Sequence, residues 1–141
     1  MSDNPLSAAQ IQEQFLRSPF NAFLNLEVQS ADLEKQELVV HLTMRPEFER
    51  FGGAGQWHGG PIAAAIDVTG DYALAMLIGT PLPTINLGVD YLRPATGRLT
   101  LIARVRRRGK TVGVVDVDVL NESGGLLAVG RASYSTAAVT R

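Results

Sequence analysis

One segment of the sequence is apolar on almost every side, and it constrains the possible folds more than any other feature. It runs from Pro61 to Ile78 and is followed by Gly79 and two prolines. Proline fits the first position of a helix, where its missing N–H removes no intrahelical bond, whereas glycine followed by proline ends a helix. The pattern predicts a central helix over 58–78, with Pro61 at its first helical position. A helix that is apolar all round is buried inside a protein.

Two aspartates distinguish this segment from a membrane span. Asp67 and Asp71 both fall inside it, and a membrane helix requires about 20 predominantly apolar residues without such charges. The N-terminal sequence MSDNPLSAAQ also lacks the basic and apolar regions of a signal peptide. We therefore expect a cytoplasmic protein that has no membrane partner.

The overall composition excludes several other classes of protein. The net charge of −1 produces no field that would attract nucleic acid, so we expect no nucleic-acid partner. The chain has no cysteine, which excludes a disulfide scaffold, a thiolate zinc site and a cysteine nucleophile. Its two histidines are too few and too scattered for a metal site, and we expect no metal.

The remaining segments predict a single α+β domain over 1–141. Residues 1–19 form an N-terminal helical extension, with Ser7 as its cap and Ile11, Phe15 and Leu16 at helical spacing. A long antiparallel sheet wrapped around the buried helix satisfies the order of elements, and we expect its last four strands to form a meander. The strand candidates are 27–33, 37–44, 84–93, 98–108, 112–121 and 125–136.

Asp67 is the strongest candidate for a catalytic group. It lies between Ile66 and Val68 on the helix that we predict to be buried. A charged carboxylate in apolar surroundings costs several kcal/mol unless it is paired or hydrogen-bonded, and such a position suits a general base or nucleophile. The alternative is a carboxylate that faces solvent or is satisfied by a neighbouring hydroxyl such as that of Thr69.

The triplet His58-Gly59-Gly60 stands immediately before the same helix. Two glycines there leave free N–H groups with no side chains in the way, and the helix dipole adds partial positive charge. Such a place can stabilise a developing oxyanion. A plain glycine-rich helix start is the alternative interpretation, although the combination with an acid further along the helix is more specific.

The spacing of these two features predicts a symmetric homodimer. Gly60 and Asp67 are seven residues apart, which is roughly 10 Å along a helix axis. A scissile carbonyl must lie about 3 Å from both the oxyanion donor and the attacking group. One copy of the helix cannot meet both requirements. Two antiparallel copies, related by a two-fold axis, can place the glycines of one opposite Asp67 of the other.

Two strings resemble a known family. HGGPIAAAID at 58–67 and GVDYLRPA at 88–95 are similar to the PaaI-like (4-hydroxybenzoyl-CoA thioesterase, Arthrobacter-type) branch of the hot-dog superfamily. The resemblance covers roughly residues 20–137, and the spacing of His58 to Asp67 matches the family pattern. It implies a hot-dog domain that hydrolyses acyl-CoA thioesters without a metal or redox cofactor, with coenzyme A as part of the substrate. Members of the family commonly pair as dimers of dimers.

The resemblance also implies roles for individual residues. Asp67 would be the catalytic carboxylate, acting as nucleophile or as base toward water. Gly59 would supply the backbone N–H that polarises the thioester carbonyl, with Gly60 beside it at the substrate. His58 would order the loop or position the thioester.

The sequence departs from the family at two positions. Asp71 lies one helical turn beyond Asp67 on the same face, where relatives often carry a hydroxyl residue that orients water. If both acids face one pocket with the substrate, their repulsion is expected to raise the pKa of one of them. Many relatives carry Asn or Gln six residues before the histidine, at the position that is Gly52 here. Gln56 is the nearby amide that could substitute at the substrate.

Cationic and aromatic residues offer further candidates. The phosphates of coenzyme A could bind Arg93, Arg108 or Lys110, and the alternative is a solvated strand face. Alternation along the strand predicts that Arg104, Arg106 and Arg108 share one face. Trp57, Phe48 and Phe51 either line an acyl pocket or anchor the loop before the helix.

Three functions are compatible with these residues. An acyl-CoA thioesterase would use Asp67 and Gly59 as described above. A non-catalytic acyl-CoA-binding hot-dog protein is the alternative that the departures at Gly52 and Asp71 allow. A hot-dog hydratase or dehydratase ranks last, because those enzymes need a differently spaced acid and histidine.

Overall fold

A six-stranded antiparallel sheet packs against one long helix in the computed structural model, which describes residues 3–137. This is the predicted α+β architecture, with the apolar helix buried against the sheet. The helices are α1 (Ala8–Arg17), α2 (Pro19–Leu24) and α3 (Gly59–Ile78), and a short 3-10 helix spans Pro46–Phe48. The strands are β1 (Glu27–Asp32), β2 (Glu37–Leu42), β3 (Thr84–Tyr91), β4 (Leu99–Arg108), β5 (Val112–Leu120) and β6 (Leu126–Ser135).

The strand order is β1-β2-β4-β5-β6-β3, so the predicted meander is correct for β4, β5 and β6 and wrong for β3. β3 lies at the sheet edge and pairs with β6, from Thr84 opposite Tyr134 to Tyr91 opposite Ala128. Residues 92–98 then cross three strand positions, about 14 Å, to reach β4 beside β2. Apolar alternation determines which face of a strand is buried, but it does not identify the neighbouring strand, which is why the prediction failed here.

The central helix begins at Gly59, one residue after the start of the predicted segment 58–78 and two residues before Pro61, the residue predicted as its first helical position. His58 is its N-cap, which makes Pro61 the third helical residue rather than the first. Proline is still tolerated there, because N–H groups in the first turn have no intrahelical acceptor. At the other end Gly79 adopts a left-handed conformation, with φ of 111°. By length and composition α3 resembles a membrane span, but most of it is buried within this domain.

The N-terminal extension packs across the end of this helix. Ser7 and Gln10 form a capping box at the start of α1, and Ile11 and Phe15 are buried. Leu16 is 63% exposed, so its predicted place on the apolar face is wrong; it is rotated by about 100° from Phe15. The extension continues into α2, and the predicted domain limits at 1–2 and 138–141 lie outside the described residues.

Glycines allow α3 to approach the sheet closely. A methyl group on Gly113 of β5 would lie 2.6 Å from Leu74, and one on Gly130 of β6 would lie 2.6 Å from Ile66. On the helix itself, a methyl group on Gly70 would lie 2.5 Å from the hydroxyl of Tyr134. A contact that short forces atoms to move, so these positions exclude larger side chains.

We expect Gly70→Ala to destabilise the domain by about 1–3 kcal/mol, because its methyl group would overpack against Tyr134. The loss should occur even though alanine favours a helix over glycine by about 1 kcal/mol. Urea denaturation measures the change, with Gly88→Ala as control, since no atom lies within 4 Å of that position. In a Tyr134→Phe background, which removes the hydroxyl, the cost of Gly70→Ala should shrink; an unchanged cost would contradict this account.

Candidate active site

The first residue of α3 presents a backbone donor that has no partner within residues 3–137. The N–H of Gly60 donates to Nδ1 of His58 at 3.0 Å, and Pro61 has no N–H. The N–H of Gly59 makes no hydrogen bond to the described residues. It also lies at the positive end of the helix dipole. The geometry at the helix start therefore leaves Gly59, the predicted oxyanion donor, available for a ligand.

Tyr91 holds this helix start in place. Its hydroxyl donates to the carbonyl oxygen of Gly59 at 2.6 Å, and a methyl group on Gly59 would lie 3.1 Å from the tyrosine ring. Tyr91 ends β3 and belongs to the second family-like string, but it was not among the predicted site residues. Only the crossing of β3 to the sheet edge brings it to the helix, and no local sequence signal reveals that contact.

A cleft of about 370 Å³ opens beside Gly59. Gln56 and Arg93, both predicted to bind substrate, line it with Gly59. The Nε of Arg93 donates to the carbonyl oxygen of Leu126 at 3.0 Å. Arg50 also lines the cleft and was missed, because a single arginine in a glycine-rich loop carries no distinguishing pattern. We name this space the cationic cleft, after Arg50 and Arg93.

The aromatic residues before α3 anchor their loop. Phe48 and Trp57 are buried and stacked, with ring centroids 5.6 Å apart. The Nε1 of Trp57 donates to the carbonyl oxygen of Gly97 at 2.7 Å. Phe51 is 73% exposed, and Gly52 next to it is exposed and lines none of the described pockets that adjoin the helix. Phe48 and Trp57 therefore anchor the loop, and each also lines a pocket beside the helix start.

Asp67 is half-buried and hydrogen-bonded. Its Oδ1 accepts a hydrogen bond from the hydroxyl of Thr84 at 2.7 Å, and its backbone carbonyl accepts one from the hydroxyl of Tyr134 at 2.7 Å. Thr69, the hydroxyl suggested by sequence, donates instead to the carbonyl oxygen of Ala65. A hydroxyl group does satisfy Asp67, as the alternative interpretation suggested. The hydroxyl belongs to Thr84 of β3, however, and not to Thr69.

Asp71 is the more deeply buried of the two acids. Its Oδ1 accepts a hydrogen bond from the backbone N–H of Leu82 at 2.8 Å. Burial raises the pKa of the Asp71 carboxyl to about 7; the Leu82 N–H opposes the rise and the charge of Asp67 adds to it. The expectation that one acid has a raised pKa is confirmed, with burial as the larger cause and repulsion as the smaller.

The glycines and the acids do not meet within one chain. Gly59 and Asp67 are eight residues apart, which is about 12 Å along α3, and Asp67 does not line the cationic cleft. Gly60, Ala64, Asp67 and Asp71 fall on one stripe of the helix, and all four are half-buried or exposed. We name this the acid stripe. The protein's own sheet covers the opposite side of α3.

Three arginines of β4 were predicted to share one face of the strand, and the structure separates Arg108 from the other two. A one-residue bulge follows Val105 in β4, which reverses the direction of the side chains beyond it. Arg104 and Arg106 both pair with acids of β5, whereas Arg108 pairs with Asp3, so the predicted shared face is wrong for Arg108. Asp3 adjoins Asn4, whose N–H donates to the carbonyl oxygen of Ile78 at 3.2 Å.

Arg108 therefore lies near the C-terminal end of α3, together with the β4–β5 turn that contains Lys110. Arg93 lies at the opposite end, beside Gly59. A single nucleotide could not contact all three cations within one chain. Among residues 3–137, no group of three or more His, Cys, Asp and Glu side chains is placed to hold a metal ion.

Comparisons with known proteins agree on one family. The family profile of the thioesterase superfamily matches residues 54–128. A protein of Saccharolobus solfataricus, which is provisionally named as an esterase, is 32% identical over 133 residues. The matched region covers 91% of each chain. The medium/long-chain acyl-CoA thioesterase YigI of Escherichia coli is 31% identical over 140 residues, covering 82% of this chain and 84% of its own. A crystal structure of a thioesterase-superfamily protein superposes with a TM-score of 0.82 at 36% identity, covering 91% of this chain and 97% of that one.

We expect stability to fall as pH rises through about 7, because folding raises the pKa of Asp71. The folded state binds the proton more tightly than the unfolded state, so this contribution is complete below the ordinary pKa of 3.8 and disappears above 7. Between pH 5 and pH 8 the loss should be about 2–3 kcal/mol. Urea denaturation at both pH values measures it.

Asp71→Asn should weaken this pH dependence, since asparagine has no charge to bury and its Oδ1 can still accept from Leu82. Asp118→Asn is the matched control, because Asp118 lies on the outer face of the sheet and is 42% exposed. Equal pH dependence in wild type and Asp71→Asn would show that Asp71 is not the responsible group.

Proposed function

Because the chain belongs to the thioesterase superfamily, we propose that it is a PaaI-like acyl-CoA thioesterase, which hydrolyses an acyl-CoA to the free acid and coenzyme A. The observation that carries this proposal is the unpartnered N–H of Gly59 at the start of a buried helix that also bears Asp67. The similarity to a medium/long-chain acyl-CoA thioesterase supports the choice of thioester. We propose no cofactor beyond the coenzyme A of the substrate.

The proposed chemistry requires one polarised carbonyl and one carboxylate. The Gly59 N–H and the helix dipole stabilise the negative charge that develops on the thioester oxygen. Asp67 either attacks the carbonyl carbon, forming an anhydride that water then hydrolyses, or removes a proton from the attacking water. In both routes the C–S bond breaks and coenzyme A leaves as a thiolate. Thr84 fixes one oxygen of Asp67 and so orients the carboxylate.

His58 has a positioning role in this proposal. Its Nδ1 accepts the hydrogen bond of the Gly60 N–H, which orients the turn that presents Gly59. Gly60 and Gln56 lie beside the reacting thioester, and Arg93 attracts the phosphates of coenzyme A. Asp71 accepts a hydrogen bond from the N–H of Leu82, just before β3, and the charge of Asp67 acts on its carboxyl, so it forms part of the polar surroundings of Asp67.

A homodimer completes the proposed site. β3 is an edge strand, and its residue Ile85 is 55% exposed. An edge strand with exposed apolar side chains favours pairing with another strand. The same strand begins at Thr84, which contacts Asp67. A second copy docked along β3 would thus reach the acid stripe and could bring its own Gly59 to Asp67. Dimers of dimers would use further surfaces of the chain.

A non-catalytic acyl-CoA-binding protein is the second candidate. It is favoured by the exposed Gly52, which supplies no amide to the substrate where relatives carry one. Gln56 lines the cationic cleft and favours the enzyme. Both candidates predict binding, but only the enzyme predicts release of a thiol.

We expect Asp67→Asn to lower the rate of thiol release from acyl-CoA by at least about 100-fold, because asparagine neither attacks nor accepts the proton. The fold should persist, since the amide oxygen can still accept from Thr84. A panel of aliphatic and aromatic acyl-CoAs with thiol detection measures the rate. Asp118→Asn is the matched control and should retain wild-type turnover. Undiminished hydrolysis by Asp67→Asn would remove Asp67 from the mechanism.

Mixing two inactive variants tests the shared site. Asp67→Asn lacks the carboxylate, and Gly59→Pro lacks the N–H while retaining a residue favoured at a helix start. In a mixed dimer, one of the two sites combines an intact Gly59 with an intact Asp67. Reassembly of the mixture should therefore restore activity to about a quarter of wild type.

Recovery requires that dimers exist, which sedimentation at micromolar concentration measures independently. A monomer in sedimentation would contradict the dimer. A dimer without any recovery would place both groups of each site in one chain.

A further inference from the structure

A buried tyrosine of the sheet contacts the turn of α3 that carries Asp67. Tyr134 is the second-to-last residue of β6, and its side chain is fully buried. Its hydroxyl donates to the backbone carbonyl oxygen of Asp67 at 2.7 Å, and the N–H of Asp71 is a further hydrogen-bond partner of this hydroxyl. In a regular helix, that carbonyl would accept only from the N–H four residues later, which is the N–H of Asp71. The phenol of Tyr134 therefore lies at the helix backbone between the two acids.

Gly70 makes room for this contact. A methyl group on Gly70 would lie 2.5 Å from the hydroxyl of Tyr134, so a larger residue would push the hydroxyl away from the helix. Glycine is unfavourable in the interior of a helix compared with alanine, because it loses more conformational freedom on folding. The sequence thus carries a poor helix residue at the one turn where the phenol reaches the backbone.

The hydroxyl of Tyr134 acts as a hydrogen-bond donor and not as a base. Burial raises the pKa of Tyr134, and the charges of Asp67 and Asp71 and a hydrogen bond to the side chain of Asp67 raise it further. The phenol therefore keeps its proton throughout the neutral pH range. Its contribution at this turn is to hold atoms in place rather than to transfer a proton.

Two hydroxyl groups from one cross-strand pair hold Asp67. Thr84 stands directly opposite Tyr134 in the pairing of β3 with β6. Thr84 contacts the carboxylate, whereas Tyr134 contacts the backbone of the same residue. Thr84 is exposed on the edge strand, but Tyr134 is buried on a strand that has a neighbour on each side. The contact with the backbone is therefore the more rigid of the two.

We propose that Tyr134 is a positioning residue of the active site, which aligns Asp67 with the thioester by fixing the turn of α3 from which the carboxylate projects. This inference rests on the proposed thioesterase function and adds a residue that touches neither the substrate nor the reacting atoms. Displacement of a reacting group by about 1 Å can lower a rate by about 100-fold, so one hydrogen bond to the backbone of Asp67 can control turnover. Substrate binding should not depend on Tyr134, which does not line the cationic cleft.

The test is a comparison of two tyrosine variants in thiol release from the acyl-CoA that wild type hydrolyses fastest. Tyr134→Phe removes the hydroxyl and retains the ring. It should lower kcat about five- to fiftyfold and leave KM within about twofold of wild type. Tyr72→Phe is the matched control, because it also removes a buried phenol, whose hydroxyl donates to Gln14 at 3.0 Å and does not contact Asp67. It should leave kcat and KM within about twofold of wild type.

Gly70→Ala provides a second route to the same contact. It retains the hydroxyl of Tyr134 but displaces it from the helix, so kcat should fall by a factor similar to that of Tyr134→Phe. Because both changes act on one hydrogen bond, the double variant should have a kcat within about threefold of the poorer single variant. Independent effects would instead multiply. Sedimentation of all variants alongside wild type keeps any change of assembly separate from the change in kcat.

The outcomes separate this inference from the function itself. Wild-type kcat in Tyr134→Phe, equal losses in Tyr134→Phe and Tyr72→Phe, or a loss that appears only in KM would each overturn the role of Tyr134 and leave the thioesterase intact. Absence of thiol release by wild type from every acyl-CoA would overturn both. If thermal denaturation shows that Tyr134→Phe does not fold, Gly70→Ala decides, and wild-type kcat in that variant would overturn the inference.

Discussion

The burial of α3 is the constraint on which the rest of the structure depends. A 20-residue helix without a polar face loses stability wherever water reaches it, so the sheet and the N-terminal extension must cover it. Gly113 and Gly130 let the sheet approach to within side-chain contact of Leu74 and Ile66. The extension completes the enclosure at the far end, where Asn4 and Leu6 donate to the last carbonyls of the helix.

Coverage of α3 is nevertheless incomplete, and its uncovered side carries the candidate chemistry. The acid stripe remains half-buried or exposed because the single sheet curves past only one side of the helix. Asp71 accepts a hydrogen bond from Leu82, in the segment that leads into β3, and Asp67 accepts one from Thr84, the first residue of β3. The edge strand and the residues just before it therefore serve two purposes: they end the sheet, and they orient the two carboxylates beside the position that a second copy would occupy in the proposed dimer.

Local sequence patterns predicted much of this arrangement, and contacts between distant segments account for what they missed. Helical and alternating periodicity located α3 and the strands to within a few residues, because periodicity is a property of neighbouring residues. The partners of Asp67 and Asp71 were not predictable, since Thr84 and Leu82 reach them only after the chain turns back along the helix. Arg108 was misplaced by a bulge at Arg106, and a single extra residue in a strand leaves no mark on composition. Tyr91 was missed because it reaches Gly59 through a long-range contact, and Arg50 was missed because a single arginine in a glycine-rich loop carries no distinguishing pattern. The roles assigned to Gly59, His58 and Asp67 stay predictions.

Helix length also links the stability of the fold to the proposed activity. A helix long enough to anchor the core separates its own dipole end from its own acid by about 12 Å, which is too far for one thioester to contact both. Shortening the helix would bring the groups together but would remove apolar surface from the core. In the dimer that we propose, a second antiparallel copy would resolve the conflict, because it would cover the acid stripe of the first and present its own helix start there. The acid stripe, which is the uncovered side of α3, would then also be the surface at which a thioester carbonyl meets Gly59 of one copy and Asp67 of the other. Assembly of the dimer and catalysis would therefore depend on the same contact.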